Sequence, residues 1–231
     1  MAFNRESFIN GKLLLINKPI NWTSFQIVNK IRWLIKSNYE IKKIKVGHAG
    51  TLDPLAKGLL IICTGKLTKK IAEYQDKKKS YSGTFFIGAS TPSFDLETEI
   101  DSTYSIENID EKKLIQTSKK FLGKSKQFPP IFSAIKLKGK KLYDYARKGE
   151  KVRLEKREIN IYKFKLTNIN LPLVDFEIQC SKGTYIRSIA NDFGKELKSG
   201  AYLQNLVRTS IGNYNLKDAL SINDFEKMIL N

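Results

Sequence analysis

Residues 46–66 read VGHAGTLDPLAKGLLIICTGK. The chain's only histidine, His48, and the pair Asp53-Pro54 lie among glycines 47, 50 and 58, directly ahead of the apolar run 59–63. That run is continuous rather than alternating, which suits a strand buried on both faces. Ahead of it, Pro54 pushes the backbone of Asp53 towards extended geometry, while the glycines let the chain bend or let another group approach closely. A tight turn needs no such combination, so the stretch poses a question of chemistry: why is an aspartate held there?

Upstream, residues 12–16 read as a short strand, and NKPINWTS turns the chain, with Pro19 fixing φ and Asn21 able to enter the left-handed region. Thr23 or Ser24 then caps a helix whose apolar positions Ile27, Val28, Ile31 and Leu34 recur at helical spacing. Downstream, residues 66–75 predict a helix after Gly65, and KSYSGTFFIGAS (79–90) the next strand. Residues 90–105 are polar, acidic and without period, which predicts a long surface loop. A helix over 110–121 follows.

Residues 126–153, KQFPPIFSAIKLKGKKLYDYARKGEKVR, combine a Pro-Pro break, aromatic residues and a dense basic run, and read as a projecting arm. Aromatics interleaved with cations suit stacking on bases and contact with phosphates, although such a cluster equally suits a plain core. Residues 158–166 and 173–180 predict antiparallel strands, with Val174, Phe176, Ile178 and Cys180 on one face. The chain turns at Gly183 into a helix with core face Ile186, Ile189, Phe193 and Leu197, and Thr184 as its N-cap. A strand over 205–214 and a helix from Ser221 complete the pattern, with no linker that splits it.

Composition narrows the classes. The 231 residues suffice for one large domain or two small ones, and 41% hydrophobic content is ordinary for a globular core. The opening MAFNRESFING has no apolar signal stretch, and no later apolar run is long enough to span a bilayer, so a cytoplasmic protein is expected. Cys63 and Cys180, each inside an apolar run, read as buried thiols rather than a disulfide framework. One histidine and no Cys-x-x-C spacing argue against a zinc or other soft-metal site.

The net charge of +18 points to a polyanionic partner, nucleic acid above all, because clustered Lys and Arg displace counterions from phosphates. Compositional drift is the alternative, since the chain is rich in Lys, Ile and Asn. Arginine is scarcer and more informative. Arg187 falls in the first turn of its predicted helix, where the macrodipole disfavours a cation unless a carboxylate or an anionic ligand compensates. The plainer reading is an exposed arginine.

GHAGTLDPLAKG (47–58) closely resembles the signature of the TruB family of tRNA pseudouridine synthases. LLLINKPINWTS (13–24) resembles that family's Lys-Pro-x-Gly-x-Thr-Ser element, KSY (79–81) its tyrosine motif, and QFPPIFSAIKLKGKKLYDYARKG (127–149) its inserted RNA-gripping thumb. CSKGTYIRSIANDFG (180–194) resembles its arginine motif, and LQNLVRTSIG (203–212) its late Leu-x-Arg-Thr motif. The six blocks appear in family order. Three positions depart from the pattern: Asn21 replaces the usual glycine, Lys57 the usual Thr or Ser, and Val207 interrupts the usual Arg-Arg pair.

The resemblance implies an α+β pseudouridine synthase fold with a mixed, largely antiparallel central sheet and flanking helices. It implies one catalytic domain over 1–231, a thumb-like insertion at about 124–152 and no separate C-terminal PUA-type domain. The implied reaction isomerises the T-loop uridine, position 55 of tRNA, to pseudouridine. No cofactor, metal, guide RNA or membrane is expected, and the partner of the monomer is the tRNA T stem-loop.

In the implied site Asp53 is the nucleophile, attacking either the sugar or the pyrimidine ring. Burial disfavours an ionised carboxylate, and Arg187 is the cation that the resemblance assigns to offset it. Tyr81 stacks on the target base and serves as proton acceptor; a free phenol, with pKa about 10, needs activation for that. His48 helps arrange the flipped nucleotide, or else is a structural hydrogen-bonder. Tyr185 and Leu206 form apolar pocket walls, or else core, and Lys18, Arg147 and Arg208 support the RNA or the site. Two rivals remain: a guide-dependent relative, and a non-catalytic RNA-binding or RNA-folding protein that kept the scaffold.

Overall fold

The apolar run behind Asp53-Pro54 becomes a nine-residue strand, and its neighbours are arranged to bury both of its faces. The computed structural model describes residues 3–133, 135–137, 139–150 and 152–230. Ala134, Lys138 and Lys151, which belong to the expected arm, lie outside the described residues. In chain order the first elements are α1 (Arg5–Asn10), β1 (Leu13–Lys18), α2 (Ser24–Asn38), β2 (Val46–His48), β3 (Ala56–Thr64), a 3-10 turn (Gly65–Lys70), α3 (Ile71–Gln75) and β4 (Lys79–Ile87). Then come β5 (Ala89–Ser90), β6 (Ser102–Thr103), α4 (Glu111–Lys120), β7 (Gly123–Gln127), β8 (Lys136–Leu137), β9 (Lys140–Lys141) and α5 (Leu142–Arg147). The chain closes with β10 (Arg157–Asn170), β11 (Leu173–Cys180), α6 (Ile186–Glu196), β12 (Ala201–Ile211), β13 (Tyr214–Asn215) and α7 (Ile222–Leu230).

Two compact units emerge, one holding the residues up to Tyr81 together with those from Leu206 onward, the other holding Ser82–Asn205. In the first, β1 pairs antiparallel with β3 from Leu13↔Cys63 to Lys18↔Gly58, and β2 pairs antiparallel with its far end. β12 joins β3 in parallel, Leu206 opposite Ala56 and Arg208 opposite Gly58. Leu60 and Ile62 pack with Leu14, Ile16 and the buried stripe of α2, Ile27, Val28, Ile31, Leu34 and Ile35. Leu59, Ile61 and Cys63 pack with Ala49 and Ile211. Each buried Leu or Ile contributes about 1.5–3 kcal/mol, which explains why the run carries no polar residue.

Helix α2 starts where the sequence predicts. Thr23 is the N-cap and forms a reciprocal capping box with Gln26. Asn21 takes φ 67°, so the position that the family pattern gives to glycine is held by another residue tolerant of left-handed backbone. Lys57 is exposed and accommodates its departure without packing cost.

For the second unit the strand order reads β12-β4-β11-β10-β7. β10 and β11 form the expected antiparallel pair, and the predicted face Val174, Phe176, Ile178 and Cys180 is buried. Phe176 stacks on Phe85 with ring centroids 4.2 Å apart, and Phe164, Phe193 and Phe121 extend that cluster. Both cysteines are buried, and they form no disulfide with each other.

Several expectations are corrected. Residues 66–75 do not form one helix: the chain first tightens into 3-10 geometry over Gly65–Lys70. Residues 90–105 are largely the exposed, irregular segment expected, but one stretch of them turns into the protein. Thr91, Ser93 and Asp95 are buried because the polar groups satisfy each other, Thr91 Oγ1 and Ser93 Oγ both donating to Asp95 O at 2.7 and 3.0 Å. The basic segment begins with a true edge strand, β7, paired from Gly123↔Ile161 to Gln127↔Arg157. Thr184 is not the cap of α6: its hydroxyl donates to Ser181 O, and Tyr185 stands at the N-cap without a side-chain bond. The strand predicted over 205–214 starts at Ala201 and breaks at Gly212, where φ 56° turns the chain into β13. Helix α1, capped by Asn4, was not among the predicted elements.

Candidate active site

The loop that carries Asp53 is held carbonyl by carbonyl. Gly50 O and Thr51 O accept from the two terminal nitrogens of Arg208, each at 3.1 Å. Leu52 O accepts from Ser24 Oγ at 3.0 Å, and Leu52 N–H donates back to the same oxygen at 2.8 Å. Asp53 O accepts from Ala56 N–H at 3.1 Å. Pro54 O accepts from Asn21 N–H at 2.8 Å and from Lys18 Nζ at 3.4 Å. Buried backbone acceptors need partners; here each of five consecutive carbonyls has one, so the backbone under the Asp53 side chain is fixed from both ends.

Arg208 makes this possible. It is 1% exposed, and its Nε donates to Leu59 O at 2.7 Å, joining the loop to the start of the apolar run. Gly58 admits it: a Cβ there would lie 2.5 Å from the Arg208 carbonyl oxygen, and the backbone is at φ 113°. Gly50 is required for its φ of 107° alone, since a Cβ would meet nothing closer than 3.9 Å. Leu206, two residues before Arg208 and on the same strand face, is buried.

Lys18 is fully buried, and its ammonium donates to Pro19 O at 2.9 Å and Trp22 O at 2.6 Å. Burial pushes its pKa down to about 8; the nearby Arg208 charge adds to that fall, and the Asp53 carboxylate opposes it. His48 is also pushed below its ordinary value, by burial first and Arg208 second, so the imidazole is held neutral at physiological pH. Tyr81 is buried on β4 in the alternate position to Lys79. Lys79, a buried cation that the sequence reading passed over, donates to the carbonyls of Gln75 and Lys77.

Within the second unit, Arg187 is 4% exposed, which overturns the plain reading of an exposed side chain. Its Nε lies 3.5 Å from Asp95 Oδ2, and its Nη1 donates to Ser93 O at 3.3 Å. The compensating carboxylate that its first-turn position demands is thus Asp95, itself buried. Asp95 was missed because the segment around it shows no period. Its signal was indirect: a run of Ser, Thr and Asp that bond their own backbone, and an arginine in need of a partner.

Tyr185, half-buried, is held through its backbone. Its N–H donates to Gln127 Oε1 at 2.9 Å, and its carbonyl accepts from Gln127 Nε2 at 3.0 Å. Arg147 is exposed on α5, 5.3 Å from the Tyr143 ring centroid and 3.7 Å from Glu97 Oε1. Of the predicted site residues, Asp53, His48, Lys18, Tyr81, Leu206 and Arg208 belong to the first unit, and Tyr185, Arg187 and Arg147 to the second. Among the described residues no cluster of three or more His, Cys, Asp or Glu side chains is arranged to hold a metal ion, and no helix is long and apolar enough to cross a membrane.

Residues 36–186 match the N-terminal domain of the TruB family pseudouridylate synthases. A tRNA pseudouridine synthase B of Flavobacterium johnsoniae is 55% identical over 97% of this chain and 98% of its own length. One of Phocaeicola vulgatus is 50% identical over 96% and 95%. Among solved structures, a chain of a Cbf5-Nop10-Gar1 complex superposes with TM-score 0.70 at 24% identity, over 97% of this chain and 56% of that one. A chain of an H/ACA RNP bound to a substrate RNA gives 0.68 at 24%, over 96% and 54%. These structures, of which this chain spans just over half, share the pseudouridine synthase fold, an α+β architecture with a largely antiparallel central sheet. The family match and the identities across nearly the whole chain show that this protein belongs to the TruB family of pseudouridylate synthases.

Proposed function

We propose that this enzyme isomerises the T-loop uridine of tRNA, position 55, to pseudouridine, with Asp53 as nucleophile. The names of the relatives at 50% and 55% identity support tRNA as the substrate. The observation that carries the assignment to Asp53 is its loop, whose five backbone carbonyls from Gly50 to Pro54 all find partners, among them two buried cations. Such fixation holds a reacting carboxylate to its productive geometry, which a surface turn does not need.

The reaction breaks the C1′–N1 glycosidic bond, turns the uracil and forms C1′–C5. The C5 proton leaves and N1 gains one, so there is no net hydrolysis or redox change, and no cofactor is needed. The target must first be drawn out of its stack. Asp53 then forms the covalent adduct, at the sugar or at the ring, that keeps base and ribose together. Arg208 and Lys18 hold the backbone of the Asp53 loop from within the same unit. By family resemblance Arg187 is the further cation, held by Asp95, and Tyr81 stacks on the uracil and accepts the C5 proton. Leu206 and Tyr185 form apolar walls, and His48, neutral, arranges the flipped nucleotide without a charge of its own. Residues 124–152, with Arg147, grip the RNA. The enzyme works as a cytoplasmic monomer without a guide.

Tritium release from a T stem-loop RNA labelled at uracil C5 tests this. Wild type is expected to release the label and Asp53→Asn to release none while still binding RNA. Tight binding with no release by wild type would leave a binding protein in place of the enzyme on this substrate.

A further inference from the structure

The turn that fastens the Asp53 loop carries large apolar side chains pointing to solvent. Trp22 O accepts from Lys18 Nζ, Asn21 N–H donates to Pro54 O, and Ser24 exchanges two hydrogen bonds with Leu52, so residues 20–25 and 52–54 are fixed to one another. Yet Ile20 is 52% exposed, Trp22 36%, Phe25 65%, and Trp33 further along α2 58%. Phe25, Asn29 and Trp33 follow i, i+4, i+8 spacing and form one outer ridge of α2, about 12 Å long at 1.5 Å per residue. Lys30 Nζ sits 4.9 Å from the Trp33 ring centroid.

An exposed aromatic ridge suits lipid, protein or nucleic-acid bases, and the surrounding charge discriminates. Between residues 11 and 45 the sequence has eight Lys or Arg residues, all but Lys18 outside the core, and a single acidic one, Glu40. Lys30 also bonds Glu226 from α7 at 3.1 Å, which leaves the face strongly cationic on balance. Flat apolar faces set among cations match a polyanion whose own units are flat rings, which is single-stranded or looped RNA. We propose that Trp22, Phe25 and Trp33 form a stacking surface for unpaired nucleotides of the RNA substrate, with Trp22 and Phe25 engaging bases that flank the reactive uridine. The proposal rests on RNA being the substrate, as argued above, and adds where its neighbouring bases lie.

The chain's two tryptophans are both on this surface, so their emission reports it alone. Titration of the whole protein with T stem-loop RNA is expected to quench tryptophan fluorescence with the same dissociation constant that anisotropy of labelled RNA gives. Trp22→Phe and Trp33→Phe separate the two contributions. Phe25→Ala is expected to raise KM roughly tenfold, within the range of one lost base stack, with kcat unchanged. Quenching on an RNA that is bound but not isomerised keeps the surface and rejects the T-loop reaction. Isomerisation with unchanged emission, or with an unaltered KM in Phe25→Ala, rejects the surface and keeps the reaction. Emission that responds to phosphatidylglycerol vesicles and not to RNA assigns the face to lipid and overturns the proposal; absence of RNA binding by anisotropy overturns both.

Discussion

Among the described residues two arginines are buried, one in each unit, and they are accommodated in opposite ways. Arg208 directs its donors to three backbone carbonyls, those of Gly50, Thr51 and Leu59. Arg187 faces a buried carboxylate, Asp95, at 3.5 Å. Carbonyls satisfy hydrogen bonds without cancelling charge, so the Arg208 charge still acts at a distance: it lowers the pKa of both Lys18 and His48. A carboxylate does both, and leaves a pair whose parts depend on each other. The first arrangement builds a positive environment around a fixed loop; the second lets a cation stand at a helix N-terminus that disfavours it.

The contrast predicts different penalties. Asp95→Asn removes the carboxylate 3.5 Å from the buried Arg187 Nε, and breaking a buried pair in this way costs about 3–5 kcal/mol; urea denaturation should show it as a lowered midpoint with unchanged slope. Adding Arg187→Met to Asp95→Asn should restore much of that loss, because the charge that Asp95 faced is gone as well. If the double variant is no more stable than the single one, Asp95 acts through its hydrogen bonds and not as a counter-charge. Arg208→Met leaves no bare charge but orphans three carbonyls, and an unsatisfied buried acceptor costs about 1–3 kcal/mol. A total loss of about 3 kcal/mol is expected, since water reaches some of them. Arg208→Lys should recover little, because an ammonium cannot span acceptors on both sides of a planar fork.

How much of this was visible beforehand follows the range of the signal. Strand β3 and helix α2 were legible because a continuous apolar run and a 3.6-residue stripe are local and repeat. The β10–β11 pair was legible for the same reason, with period two. Asn21 was legible because only a few residue types tolerate left-handed backbone. The partner of Arg187 was not, because 92 positions separate it from Asp95 in the chain and the segment around Asp95 has no period. The Ser24–Leu52 exchange escaped as well: a serine in the first turn of a helix looks like a cap, and here Thr23 takes that role while Ser24 holds the loop. Asp53 and Arg187 stood out by their Gly/Pro setting and first-turn position, Tyr81 by family resemblance alone, and the resemblance gave all three their roles; what surrounds them is set by contacts distant in the chain.

The Lys18 ammonium sharpens the comparison on the Arg208 side, because it titrates within reach. Folding lowers its pKa from 10.5 to about 8, so the unfolded chain binds more protons than the folded one between those values. Stability carried by this group therefore rises with pH through that window, by up to about 1.4 kcal/mol per pH unit in the limit of full coupling. Below pH 8 both states are protonated and the cost of the buried charge is present in full; above 10.5 it is gone. Lys18→Met should remove this slope, measured as the difference between wild-type and variant urea stabilities from pH 7 to 10.5. In an Arg208→Met background the wild-type Lys18 should hold its proton to higher pH, because one cause of the shift has been removed. An unchanged slope there would mean that burial alone sets the value, and that the Arg208 charge does not reach the loop it fastens.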